Sequence, residues 1–171
     1  MTTGTQTTKE VSTGLRVSSI DGAVVTNKIS KLAITVQARA GSSDIDLAQT
    51  VLEMTDGNTK VLLKFNTSKA WNFNTSVRGN ASLFHTGGWN ETNMEFGIVV
   101  LSDPDGSMST ITAPHINSGD IVVLSISTTS CFSGLDPRDN VWGQVMPENG
   151  APGIFSFRVP PSLSHVVYNL Y

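Results

Sequence analysis

With one cysteine, Cys131, in 171 residues, this chain cannot form an intrachain disulfide, and its folding must rest on an apolar core. Cys131 is expected as a small buried residue and not as a reactive thiol. No apolar run approaches the ~20 residues of a membrane span, and no signal peptide is legible. Eleven basic against fourteen acidic residues give a net charge of −3, too small and of the wrong sign for reading a nucleic-acid backbone. Three histidines, His85, His115 and His165, are the whole supply of imidazole bases. None stands near a nucleophile elbow, a zinc-type HExxH or a phosphate-cradling glycine loop. Catalysis needs a base held within hydrogen-bond reach of its nucleophile, so no catalytic residue is assigned and no enzymatic activity is expected.

Charged residues make up only 15% of the chain, while Thr, Ser, Asn and Gly are abundant, a composition suited to short strands joined by polar turns. Strands are predicted at Leu15 to Ile20, Lys31 to Ala38, Ala48 to Met54, Lys60 to Phe65, Phe96 to Leu101, Ile121 to Ser127, Val141 to Met146, Gly153 to Val159 and His165 to Leu170. Turn signals stand between them at Asp21-Gly22, Asp56-Gly57, Asp103-Pro104-Asp105-Gly106, Asn117-Ser118-Gly119 and Asn149-Gly150. Long helices are not evident. This rhythm predicts an all-β, immunoglobulin-like antiparallel β-sandwich over residues 14–171. Leu32, Ile34 and Val36 alternate well enough to face inward, whereas the run Ile121-Val122-Val123-Leu124 leaves its face undecided. Residues 1–13 are polar, threonine-rich and without apolar periodicity, which reads as a stalk or a frayed helical end.

The segment from Pro147 to Pro160, Pro-Glu-Asn-Gly-Ala-Pro-Gly-Ile-Phe-Ser-Phe-Arg-Val-Pro, begins as a bent connector, since its prolines lack an amide donor and its glycines favour conformations closed to other residues. A strand follows, stopped by Pro160-Pro161. This segment resembles the C-terminal signature of the archaellins, the archaeal flagellins. Ser12-Thr13-Gly14-Leu15-Arg16-Val17, Ile45-Asp46-Leu47-Ala48-Gln49 through Thr55-Asp56-Gly57, Phe96-Gly97-Ile98-Val99-Val100-Leu101 and Gly119-Asp120-Ile121-Val122-Val123 resemble further archaellin blocks, in the family's order. The resemblance implies a structural subunit of the archaellum filament, extracellular on the archaeal surface, used for swimming and adhesion. Its partners would be other copies of itself or related archaellins in a helical array. In archaellins a long hydrophobic helix precedes a segment like this one, so the resemblance further implies a soluble outer domain, with residues 1–13 as the remnant of the junction. Such a chain is expected to be a monomer in solution.

Four Asn-X-Ser/Thr sequons, at Asn66, Asn74, Asn80 and Asn90, fall in the segment of about 66–95, which carries no family motif and reads as a glycan-acceptor-rich loop region. Composition alone also generates such triplets in an Asn/Thr-rich loop. Trp71, Phe73, Phe84 and Trp89 in the same stretch suit either a sugar-stacking platform or, preferably, anchors that pack a long loop onto the sandwich. Asp103-Pro104-Asp105-Gly106-Ser107 aims two carboxylates at one point, as the start of a calcium loop does, although an ordinary turn fits the same residues. Asp103 and Asp105 are therefore the candidate ligands for a divalent cation, calcium or magnesium, with no cofactor required. Asp136-Pro137-Arg138-Asp139-Asn140 is a second oxygen-rich loop, opposed by Arg138. Two other readings stay open: a secreted carbohydrate-binding or adhesion module, which would share the sandwich, and a pilin-like adhesin.

Overall fold

Alternation of buried and exposed side chains is the local rule from which the architecture follows. The computed structural model describes residues 13–72, 83–85, 89, 94–110 and 112–171. The strands among them are β1 (Leu15–Val25), β2 (Lys28–Ala38), β3 (Ile45–Asp46), β4 (Val51–Thr55), β5 (Lys60–Asn72), β6 (Glu95–Ser102), β7 (His115–Ile116), β8 (Ile121–Ser127), β9 (Asn140–Met146), β10 (Gly153–Arg158) and β11 (Val167–Asn169). One sheet runs β10-β9-β4-β5-β6-β8-β2-β1-β11, and β3 with β7 forms a separate ladder. Strands β5 and β6 pair in parallel, a departure from the all-antiparallel expectation within an otherwise antiparallel sheet.

Period-two burial is cleanest in β10, where Gly153, Phe155 and Phe157 turn inward and Ile154, Ser156 and Arg158 outward. Those inward rings share one core with Leu52 and Met54 of β4, Leu63 of β5, Phe96 of β6, Ile34 of β2 and Ile20 of β1. Strands from both halves of the sheet thus face a common interior, and the sheet curls into the two layers of a sandwich. Leu32, Ile34 and Val36 are fully buried, as their alternation predicts. The undecided run in β8 is buried on both faces: Leu124 joins the main core, and Val123 joins a second cluster with Ala33, Val99, Phe84 and Trp89.

Asp21-Gly22 is not the predicted turn. Both residues lie inside β1, with Asp21 opposite Ala33 on one side and Asn169 on the other. The chain reverses instead at Thr26 and Asn27, with φ of 52° and 59°, the left-handed pair that a two-residue hairpin needs. No glycine marks that turn, so its signal was weak. Strand β4 begins at Val51, because Leu47–Gln49 forms a 3-10 turn whose Ala48 amide donates to Asp46 Oδ1 at 2.8 Å. Strand β5 continues past Phe65 to Asn72. A short helix, α1 (Thr128–Phe132), is N-capped by Ser127 and ends at Ser133 with φ 58°. Among the described residues no helix is long and apolar enough to cross a membrane.

Close approach of β4 to β9 requires a glycine. A Cβ on Gly143 would lie 2.1 Å from the Glu53 carbonyl oxygen and 2.9 Å from Phe155 Cζ. Gly143→Ala is expected to cost about 1–3 kcal/mol, and each kcal/mol lowers Tm by about 2–4 °C at this size. An unchanged Tm in a circular-dichroism melt would contradict this strand spacing.

Candidate functional site

The loop after β6 and the turn into β8 bring three carboxylates together. Asp103 and Asp105 come from the first, Asp120 from the second, and one oxygen of each lies within 4.8 Å of the others. Gly106 and Gly119, with φ of 76° and 97°, make the two tight reversals that allow it. Hydrogen bonds hold most of the carboxylate oxygens: Asp103 Oδ2 accepts from the Met108 amide at 3.2 Å, and Asp105 Oδ1 from the Ser107 amide at 3.1 Å. Asp120 Oδ2 accepts from the Asn117 amide at 2.9 Å and from Ser107 Oγ at 3.2 Å. The Asn117 side-chain amide donates to Asp105 Oδ2 at 2.7 Å and to Asp44 Oδ1 at 3.3 Å.

Two oxygens are left over. Among the described residues, Asp103 Oδ1 and Asp120 Oδ1 are buried without a hydrogen-bond partner, and Asp120 as a residue is only 2% exposed. An unpaired buried carboxylate oxygen is costly. Desolvation pushes the Asp120 carboxyl above its ordinary value, with repulsion from Asp103 and Asp105 adding to it against the opposing Asn117 and Ser107 bonds. Asp105, exposed and held chiefly by the Asn117 amide, is lowered to about 2. A hard divalent cation takes several oxygen ligands of this kind, and the three carboxylates with two unused buried oxygens suit one chemically. Sequence reading found Asp103 and Asp105; Asp120 lay hidden in the Gly119-Asp120-Ile121 block, where nothing local signals a third ligand. The other oxygen-rich loop is otherwise occupied, since Asp136 pairs with Lys28 at 3.2 Å and Asp139 Oδ2 accepts from the Asp136 amide at 2.8 Å.

Asn66 sits in β5, where the register with β6 breaks between Phe65 and Ala70. Its Nδ2 donates to Glu95 Oε2 at 2.8 Å, while its Oδ1 accepts from the Ser68 amide at 2.9 Å and from Ser68 Oγ at 2.6 Å. Asn74, Asn80 and Asn90 lie outside the described residues, as do Phe73 and the side chain of Trp71. Phe84 and Trp89 are each 6% exposed, pack with their ring centroids 5.2 Å apart at a tilt of 32° and cover Ala33, Val99 and Val123. Lys31 fixes them, with Nζ 5.5 Å above the Trp89 ring and 3.2 Å from the Phe84 carbonyl oxygen. These two rings are anchors, not an open sugar platform.

Of the histidines, His85 ends the 3-10 turn Leu83–His85, His115 lies in β7 with Nδ1 2.8 Å from the Ala113 carbonyl oxygen, and His165 packs on Tyr168. Burial pushes the Cys131 thiol up to about 11, so it is not a thiolate at neutral pH.

The described residues thus form a curled β-sandwich whose rings pack inward and whose acidic cluster is built from loops. The family model for archaeal-type flagellin matches residues 1–157, and the chain belongs to that family. It is 39% identical over 160 residues to flagellin B2 of Methanocaldococcus jannaschii, covering 94% of this chain and 72% of that one. With flagellin B1 of Methanococcus voltae it shares 35% over 178 residues, covering 99% and 78%. Among solved structures it is similar to flagellin FlaB1 of Methanocaldococcus jannaschii, with a TM-score of 0.81, 28% identity, and coverage of 92% and 96%.

Asp120 gives a pH test. Its folded-state pKa lies above the unfolded value of 3.8, so its charge destabilises the fold at neutral pH, and that loss is relieved as pH falls through the folded pKa. Asp105 acts oppositely: its contribution is present above 3.8 and is lost as pH falls toward about 2. In the presence of chelator, Asp120→Asn is expected to raise Tm at pH 7 and to remove the gain on mild acidification. A lower Tm at pH 7 with that gain intact would contradict the assignment.

Proposed function

We propose that this chain serves as a structural subunit of the archaellum filament, with its β-sandwich forming part of the outer layer of an extracellular helical array that drives swimming. The observation that carries this reading is the archaeal-type flagellin match over residues 1–157, supported by the similarity to the crystal structure of FlaB1. Its partners are further copies of itself or related archaellins. Open helical arrays need heterologous contacts, in which two different patches of each copy meet. Deleting the chromosomal copy is expected to shorten or abolish filaments and swimming, with recovery on complementation. Unaltered filaments and swimming would contradict the proposal.

Two features of the outer domain belong to the same reading. Asp103, Asp105 and Asp120 would hold a calcium or magnesium ion, which would satisfy the two unpartnered oxygens and tie the β6–β7 loop to the turn before β8. Bound metal stabilises only the folded state, by about 2.7 kcal/mol at one hundred times Kd. Tm is expected to rise with added calcium or magnesium in the wild type and not in Asp120→Asn. A metal response unchanged by Asp120→Asn would contradict the ligand set.

Glycans on Asn66, Asn74, Asn80 and Asn90 would complete the surface. At Asn66, Nδ2 carries two hydrogens and uses one toward Glu95, so attachment of a sugar leaves that bond possible. Peptide mass spectrometry of native protein is expected to find sugar mass on at least one of the four; four bare asparagines would contradict it.

A further inference from the structure

Three segments meet where the chain enters β1, and a set of hydrogen bonds to their backbone groups joins them. The Thr13 carbonyl accepts from the Ala151 amide at 2.8 Å, and the Leu15 amide donates to the Ala151 carbonyl at 3.0 Å. From the other side, the Gly14 amide donates to Ser42 Oγ at 3.0 Å, while the Gly14 carbonyl accepts from the Arg39 amide at 2.8 Å and from Ser42 Oγ at 3.2 Å. Arg39 then spans both partners: Nε donates to the Leu15 carbonyl at 3.1 Å and Nη2 to the Pro152 carbonyl at 3.2 Å.

The fit admits no side chain at two positions. A Cβ on Gly14, whose φ is 150°, would lie 2.3 Å from the Ala151 carbonyl oxygen, and one on Gly150, whose φ is 103°, would lie 2.7 Å from the Thr13 carbonyl oxygen. Leu15 beside them is fully buried and Thr13 nearly so. Hydrogen bonds on both flanks leave the backbone of residues 13–15 no direction in which to pivot without breaking several of them.

From this geometry we infer that Thr13–Leu15 is a locked joint between the start of β1 and the chain before β10, and that Arg39 is the positioning residue that locks it. Arginine suits the role because its planar fork reaches two carbonyls at once, where a lysine ammonium reaches one.

Hydrogen exchange on the whole chain, read by mass spectrometry, tests the lock. Wild-type amides of Leu15 and Ala151 are expected to exchange as slowly as those at the centre of β2 and β8. Arg39→Ala is expected to speed exchange in residues 13–15 and 150–153 by about tenfold or more, with Arg39→Lys intermediate and the β2–β8 centre unchanged. Ser42→Ala gives a second measure if Arg39→Ala fails to fold. Unprotected wild-type amides at Leu15 and Ala151, or no acceleration in Arg39→Lys and Ser42→Ala, would overturn the inference. Absence of this chain from native filaments would sink the functional reading alone, because exchange decides the lock without assembly.

Discussion

Everything in this molecule depends on the sheet closing on itself. Nine strands in one sheet leave two edges, and an open curl would expose the rings of Phe155 and Phe157 on its far side. The backbone bonds between Thr13–Leu15 and Ala151 bring the start of β1 against the chain just before β10. Once that seam is shut, residues more than 130 positions apart in sequence share one core. Such non-local closure is entropically expensive to reach, and the mutual fit of Gly14 and Gly150 makes it specific.

Closure also explains why the outer surface differs between the two halves. On the outer side of β1, β2, β6 and β8, Ala23, Ala33, Val99 and Val123 form a small apolar cluster with Phe84 and Trp89. Over β4, β5, β9 and β10 the outer face mixes Lys60, Lys64, Glu53 and Ser156 with isolated apolar side chains such as Trp142 and Ile154. The segment that carries the sequons thus has a structural duty on the first half: its buried rings seal strands β2, β6 and β8 from water. The acidic cluster lies outside both halves, and Asn117 links it through Asp44 to the loop that supplies Arg39 and Ser42.

Sequence patterns gave away much of this. Strand β8 matched its predicted span, and β10 and β6 matched within a residue, because alternation or a strong apolar run defines them without help from distant residues. The resemblance to archaellins rested on glycine- and proline-rich blocks, and the structure shows why those residues are where they are: the Thr13-Gly14-Leu15 and Gly150-Ala151-Pro152 blocks form the two sides of the seam. What stayed hidden depended on the third dimension. Asp21-Gly22 looks like a turn, yet cross-strand partners on both sides hold it extended. The real reversal at Thr26-Asn27 uses residues with no strong turn signature. Asp120 joined Asp103 and Asp105 only through the fold, and nothing in its neighbourhood along the chain marks its burial.

The central claim is that this sandwich is the outer layer of an archaellum filament. Shearing native filaments from source cells, identifying their subunits by peptide mass spectrometry and solving the filament by electron microscopy tests it most directly. The account predicts peptides of this chain in the filament and density for the curled nine-stranded sandwich at its outer radius. Filaments that contain no peptide of this chain would contradict it.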